Sequence, residues 1–372
     1  MNFATSDLAG FDPTGFSFDP AIFSFGSPEE NPVALLPAED SSIRHGIEPE
    51  VRTLQLGQIP GPTLEVYVAK FQKQPGDKVD CRALNEDGKE YVLKMPHYGL
   101  TKLERTRKNM KTYIRQTRNS YLSELRFATD ITWLTAQRAI SYAAQHPDSM
   151  TSMAVDMWAY CRVIEKEWKI CGDDTLDLDP ITDPKSPWYG FIPITPAMDV
   201  QPDQIVIRDV LQPLRTKLLA RLQDSIQNYQ PDNWFDCYFT IFMLLNHIEQ
   251  AAAHGNRFSK INGLGRRYSD MKLAEAWFHT TRILLSRFHF VSNGSAPLRL
   301  DWGKAGNVRF ANFSDDEIKF LRDSQALMAK KRAHVEEVKS KHKYEHDLYW
   351  THQLFSEKWE PGLPHIVDEI PD

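Results

Sequence analysis

The pattern of apolar and polar positions changes near residue 50. Over residues 1–50 the apolar side chains follow neither a helical period of about 3.6 nor a sustained alternation. Nine acidic residues and one basic residue stand there among six phenylalanines: Phe3, Phe11, Phe16, Phe18, Phe23 and Phe25. This mixture is typical of a disordered activation segment whose aromatic rings bind a partner. An unstructured tail without that role is an equally good interpretation.

Alternation of apolar and polar positions predicts a small antiparallel sheet in residues 51–98. Residues 63–71, TLEVYVAKF, alternate as a half-buried strand does. Two further strand-like segments, 77–84 and 89–95, lie on either side of a turn-rich NEDG sequence. We therefore predict about three strands, closed by Pro96.

Beyond residue 99 the apolar positions follow mainly a helical pattern. Capping-box spacings, in which Glu follows a Ser or Thr by three residues, predict helix starts at Thr101 and Ser314. Pro213 should kink one helix or separate two. A proline-rich loop is predicted for residues 172–201. The predicted helices cover residues 101–145, 149–171, 203–228, 233–255, 269–291 and 314–355.

The predicted fold class is mostly α, a helical bundle-like body with a small N-terminal antiparallel β element and a disordered N-terminal tail. The predicted parts are the tail (1–50), the β element (51–98), the helical domain (99–360) and a C-terminal tail (361–372). Hydrophobic residues make up 41% of the chain and charged residues 25%, which is the usual balance for a globular protein.

Residues 233–255, NWFDCYFTIFMLLNHIEQAAAHG, predict the central helix of that body, with Gly255 as its C-terminal end. The uncharged run within it is about half of the roughly 20 residues that a membrane span needs. One face carries a polar seam at helical spacing: Asp236, Thr240, His247, Gln250 and His254. Either the seam is solvated or hydrogen-bonded internally, or it is the wall of a ligand pocket along residues 233–254.

No arrangement of residues predicts a metal site, a cofactor or catalysis. His247 and His254 would stand roughly 10 Å apart along a helix, too far to share a zinc ion. Residues 342–346, HKYEH, match the H-x-x-E-H pattern of some zinc peptidases, and a helix would place both histidines on one face. Their surroundings are heavily charged, however, and no third ligand is evident. The sequence therefore predicts that the protein is not an enzyme.

The number and spacing of the cysteines indicate the cellular compartment. The chain has four, at positions 81, 161, 171 and 237, with no paired spacing. They suit a reducing intracellular compartment better than a framework of disulfides.

Charge is distributed unevenly along the chain. The net charge is −6, and residues 1–50 carry −8, nine acids against one arginine, so the remainder carries about +2. Residues 101–118 hold seven basic side chains and one acid. They could contact phosphates or act as an import signal, although a solvated basic face is the simpler interpretation. The candidate residues are Lys102, Arg105, Arg107, Lys108 and Lys111.

Several stretches of the chain together resemble a known family. They are residues 94–100, 158–176, 186–215, 233–249, 282–302 and 349–359. In this order they are similar to the region downstream of the DNA-binding domain in fungal binuclear zinc-cluster transcription factors, over roughly residues 51–360. The zinc cluster of that family needs six closely spaced cysteines. Because this chain has four scattered ones, none of the metal-binding or DNA-contacting residues of the family can be assigned to it.

The resemblance implies a nuclear transcription regulator of a fungal metabolic gene set, for which secondary metabolism is the expected context. Residues 99–360 would be regulatory, and the protein would act through transcriptional co-regulators or a DNA-binding partner protein. A homodimer, little or no direct DNA binding and no membrane contact are expected. Such a chain could be a truncated regulator, a cofactor of another protein, or a gene model that lacks an upstream exon. The alternative function is an α-helical small-molecule-binding protein.

Overall fold

The computed structural model describes residues 50–72, 80–84, 89–186, 188–228, 230–291, 293–311 and 313–362. The predicted activation segment lies outside this part of the chain except for Glu50, and most of the predicted C-terminal tail lies outside it as well. The described residues confirm the predicted class: a mainly helical body with a small antiparallel sheet near its N-terminus.

Short strands form the N-terminal β element. They are β1 (Val51–Gly57), β2 (Leu64–Lys70), β3 (Cys81–Leu84), β4 (Glu90–Leu93), β5 (Tyr98–Thr101), β6 (Lys169–Ile170) and β7 (Ile192–Pro193). Five of them form one antiparallel sheet in the order β5-β2-β1-β6-β7, and β3 pairs with β4 separately. The sequence predicted β2, β3 and β4 as one sheet, whereas β2 pairs with β1 and β5, two strands that it did not predict. The short strands β6 and β7 were missed because they lie far along the chain, where only tertiary contacts bring them to β1.

Helices make up most of the remaining described chain. They are α1 (Leu103–Leu122), α2 (Asp130–Gln145), α3 (Met150–Val163), α4 (Pro196–Val206), α5 (Gln212–Gln227), α6 (Trp234–Ile261), α7 (Met271–Ser286), α8 (Ala305–Ala311) and α9 (Asp315–Ser340). Tight 3-10 turns cover Ser123–Phe127, Pro231–Asn233 and Thr351–Phe355, and wider π turns cover Ile207–Leu211 and Arg287–Val291.

The first predicted helix, 101–145, is wrong in its start and its continuity. Thr101 is the last residue of β5, where it pairs with Tyr67, and it caps no helix. Lys102 takes the cap position in a left-handed conformation, with φ of 49°, because the chain turns there directly from strand to helix. The helix then stops at Leu122, and α2 starts after a 3-10 turn.

Other helix ends show where local patterns succeed and fail. Ser314 and Glu317 form the predicted capping box, in which each side chain bonds the backbone N–H of the other residue. Pro213 lies in the first turn of α5, just after a π turn, so the predicted helix 203–228 is two helices end to end. The helix predicted to reach residue 171 ends at Val163, since Ile170 pairs with β1.

The predicted central helix is present as α6, and it is longer than expected. It contacts α2, α3 and α7, and nearly all its side chains from Trp234 to Ala252 are buried. Gly255 does not end it. That residue is buried against Tyr268, and the helix continues to Ile261. No helix in the described chain is long and apolar enough to cross a membrane.

The close approach of Gly294 to Phe288 gives a test of this packing. A methyl group at position 294 would overlap the fully buried ring of Phe288. We expect Gly294→Ala to lower the free energy of unfolding by about 1–3 kcal/mol, the usual cost of overpacking. Gly306→Ala in α8 is the control, because no atom other than those of its chain neighbours and the nearby helix backbone lies within 4 Å of its new Cβ. It should be neutral or slightly stabilising. Urea unfolding of both variants measures the difference, and equal midpoints would contradict the packing.

Candidate functional site

The polar seam of α6 begins with contacts to the N-terminus of α3. The Asp236 carboxylate accepts hydrogen bonds from the backbone N–H of Met150 at 3.2 Å and of Thr151 at 2.8 Å. It also accepts one from the Thr151 hydroxyl at 2.8 Å. The first N–H groups of a helix lack partners within it and carry partial positive charge. Asp236 therefore fixes the start of α3 on α6, and the buried Thr240 hydroxyl lies 3.4 Å from that of Thr151.

Further along the seam, His247 is buried against the other end of α3. Its Nδ1 lies 3.1 Å from Nη2 of Arg162, which also donates to Glu165 at 2.6 Å. Burial, assisted by the Arg162 charge, lowers the pKa of His247 to about 3. The imidazole is therefore neutral at physiological pH and accepts the hydrogen bond from Arg162.

The last two seam residues, Gln250 and His254, are half-buried, and burial lowers the pKa of His254 to about 4. The structure thus brings Asp236, Thr240 and His247 together with α3. The interpretation of the seam as the wall of a ligand pocket stays a prediction.

Glu249 is a functional candidate that the sequence reasoning missed. One carboxylate oxygen accepts from the backbone N–H of Trp350 at 2.7 Å and of Thr351 at 2.9 Å, and from the Thr351 hydroxyl at 3.2 Å. The other accepts from Asn246 at 3.2 Å, whose own oxygen accepts from the Trp158 indole at 3.0 Å. A buried chain of hydrogen bonds therefore runs from α3 through α6 to the Thr351–Phe355 turn. A carboxylate inside a mostly apolar helix was the signal in the sequence.

The HKYEH residues are not arranged as a zinc-peptidase helix would place them. The predicted helix to residue 355 is wrong, since α9 ends at Ser340 and His342 has a left-handed φ of 47°. Glu345 pairs with buried Arg267 at 2.7 Å. Nε2 of His346 lies 3.0 Å from Nε2 of His334. In the part of the chain that the structure describes, no group of three or more His, Cys, Asp or Glu residues could hold a metal ion.

A cleft lies beside the turn that Glu249 holds. It has a volume of about 640 Å³ and lies between α7, the end of α9 and residues 344–362. Small-molecule sites usually measure about 300–1,000 Å³. Its lining includes five aromatic side chains: Phe278, Tyr344, Tyr349, Trp350 and Trp359. None of the five seam residues contributes to this lining.

The predicted basic segment lies on α1 and is mostly exposed. Lys102, Arg105, Lys108 and Lys111 are exposed, whereas Arg107 is half-buried and pairs with Asp209 at 3.1 Å and with Glu104. The charged groups of Lys102 and Arg105 lie over the Tyr67 ring at 5.3 and 5.6 Å. The exposed four form one basic face at the start of α1.

Comparison with known proteins places the chain in a family. The model of the KpeA transcription factor family matches residues 40–354, which is most of the chain. The chain belongs to the KpeA transcription factor family. Membership of this family points to a transcription regulator rather than to an enzyme.

One relative of this KpeA-family chain is the satratoxin biosynthesis SC3 cluster transcription factor SAT20 of Stachybotrys chartarum. It is 24% identical over 284 residues, which cover 72% of this chain and 39% of the relative. The chain thus spans well under half the length of that relative. No solved structure matches.

The pKa of Glu249 predicts how the stability of this KpeA-family protein depends on pH. Burial, reinforced by the Asp347 charge, raises that pKa from 4.5 to about 8 against the effect of the donors around it. Between these values the native state binds a proton that the unfolded state has released. The stability that Glu249 contributes therefore falls as the pH rises from about 4.5 to 8, by about 1.4 kcal/mol for each unit of pKa shift. Buried His247 and His254, whose pKa values are lowered, act in the opposite direction as the pH rises to about 6.5. We therefore expect the parent protein to lose stability relative to Glu249→Gln as the pH rises.

Urea unfolding at pH 5, 6.5 and 8 measures the slope for the parent protein and for Glu249→Gln. Glu336→Gln, which removes an exposed carboxylate from α9, controls for the loss of one negative charge. Parallel stability curves for the parent and Glu249→Gln would show that Glu249 does not titrate in this range.

Proposed function

We propose that the chain is the regulatory region of a KpeA-family transcription factor, and that it acts through protein partners without reading DNA bases itself. The placement of its cysteines is the observation that carries this proposal. Cys161 and Cys237 are buried in α3 and α6, Cys81 lies in β3, and Cys171 follows β6. A binuclear zinc cluster requires six cysteines close together, and the sequence has four in total. Another segment or another protein therefore supplies base recognition.

An exposed apolar pair supports contact with a protein partner. Phe258 and Ile261 lie one turn apart near the end of α6, and each is 47% exposed. Arg257 and Lys260 are exposed beside them. Exposed apolar side chains with a polar rim are typical of protein-binding surfaces. The basic rim favours an acidic partner segment with apolar side chains, which is the chemistry of many disordered co-regulator segments.

The first prediction for this function concerns a reporter gene. When the chain is fused to an unrelated DNA-binding domain, we expect it to alter transcription from a promoter that carries the matching site. Phe258→Ser with Ile261→Ser should reduce that effect several-fold, because partner contacts are lost. Phe127→Ser is the matched control, since Phe127 is 77% exposed elsewhere on the body. Equal loss in both variants would argue against a partner surface at the end of α6.

The same protein without the fused domain tests whether the chain reads DNA bases itself. Fluorescence anisotropy should show affinities that differ by less than about tenfold among unrelated duplexes and that fall steeply with salt. Specific DNA-binding proteins discriminate by about a thousandfold or more. A duplex bound with such preference by this chain alone would overturn the claim.

A further prediction concerns the nucleus, where a transcription regulator acts. The basic face of α1 is the candidate import signal, because its side chains are exposed at close spacing. We expect Lys108→Glu with Lys111→Glu to lower the nuclear fraction of a fluorescent fusion in a fungal cell at least several-fold. Lys330→Glu with Arg332→Glu on exposed positions of α9 makes the same charge change as a control. An unchanged nuclear fraction in the α1 variant would remove this role.

A further inference from the structure

The cleft beside α7 is walled by aromatic rings that lie close to one another. The Tyr344 and Trp350 rings are nearly parallel, at 15°, with centroids 6.4 Å apart. Phe278 lies 4.9 Å from Tyr344 and 5.3 Å from Trp350. Aromatic rings bind other aromatic rings through stacked or edge-to-face contacts, with centroids about 4.5–7 Å apart. The wall therefore suits a planar aromatic group.

Arg282 makes the cleft suitable for an anion. This half-buried side chain of α7 lines the cleft, and its described bond is a long one, 3.3 Å to the Gly362 carbonyl. No carboxylate in the described chain pairs with it, whereas the more buried Arg162 and Arg267 pair with Glu165 and Glu345. Burial without such a partner lowers the pKa of Arg282. A guanidinium in this state gains more from a carboxylate than a fully solvated one does.

Other charges in the lining are nearly balanced. Lys339 and Lys358 add positive charge, and Glu275 and Glu360 add negative charge. Among the lysine, arginine and carboxylate side chains of the described lining, Arg282 therefore leaves one net positive charge. A ligand with one negative charge matches this balance better than a neutral or doubly charged one.

Trp350 contributes a second unsatisfied group to the same wall. Its indole N–H is buried and has no hydrogen-bond partner among the described residues. A buried donor without an acceptor costs about 1–3 kcal/mol. Because the indole nitrogen has almost no accessible surface, an oxygen atom of a ligand would bond it, and so offset that cost, only after the ring shifts. The backbone N–H of the same residue is held by Glu249, so the wall is anchored to the core helix.

We propose that this cleft binds a planar aromatic monocarboxylate, with its ring against Tyr344 and Trp350 and its carboxylate on Arg282. Its role as an effector site rests on the proposed regulatory function, but binding itself does not. Binding at Trp350 would act on the hydrogen-bond chain through Glu249 and Asn246 to α3, and so would reach the core of the body.

Isothermal titration calorimetry of the purified full chain with 2-naphthoate tests the proposal. We expect saturable binding, at least tenfold weaker for the neutral 2-naphthalenemethanol and for the non-aromatic cyclohexanecarboxylate. Arg282→Gln should weaken naphthoate binding at least tenfold while circular dichroism shows an unchanged fold. Arg332→Gln, on an exposed position of α9, should leave it unchanged. No binding, or equal loss in both variants, would overturn the proposal.

The sequence has carboxylates shortly after the last residue of the cleft lining, and a second arm of the experiment separates their effect from that of a free ligand. Asp368, Glu369 and Asp372 follow shortly after Gly362, which lines the cleft. A full chain with these three residues changed to Asn, Gln and Asn should bind naphthoate as the parent does. Binding that appears only in this variant would mean that the chain occupies its own cleft, and would overturn the proposal of a free ligand. The titration involves neither DNA nor a partner protein. If naphthoate does not bind, the reporter experiment still decides the proposed function separately.

Discussion

Burial of a long helix that contains polar groups is the constraint on which the rest of the fold depends. α6 has 28 residues, and most of its surface lies in the core. Polar atoms taken out of water must find hydrogen-bond partners, or the structure loses about 1–3 kcal/mol for each. Asp236, Asn246 and Glu249 meet this requirement with partners that lie about 85 to 100 residues away in sequence. The elements that pack on α6 are thus selected by hydrogen bonds as well as by apolar contact.

These hydrogen bonds connect parts of the chain that are distant in sequence. Asp236 fixes the start of α3, and Glu249 fixes the turn that carries Trp350 into the wall of the cleft. Between them, Asn246 bonds the indole of Trp158 in α3. Hydrogen bonds with defined partners therefore connect the wall of the cleft to α3.

The surface of the body has three distinct features. Positive charge is concentrated on the exposed start of α1, and exposed apolar side chains lie near the end of α6. The cleft combines aromatic rings with an arginine that has no described carboxylate partner. The net charge of residues 1–50 is negative, whereas that of the remaining chain is about +2. Membership of the KpeA family gives these surfaces a regulatory context.

The sequence by itself determined the class of fold, the core helix and several helix ends. The apolar circumference of residues 234–245 could only be buried, and Ser314 with Glu317 formed the capping box that their spacing predicts. Strand β2 followed from alternation alone. These features depend on neighbours within a few residues, so local chemistry is sufficient to specify them.

Only the tertiary structure decided the remaining features. Thr101 became a strand residue because Tyr67 pairs with it, and Ile170 left its predicted helix to pair with β1. Gly255 continued α6, because packing against Tyr268 favoured the helix over the local preference of glycine to end it. The cleft joins α7 to residues some 80 positions later, and no pattern in the sequence connects them. Such contacts depend on which distant surfaces fit, and that information is distributed over the whole chain.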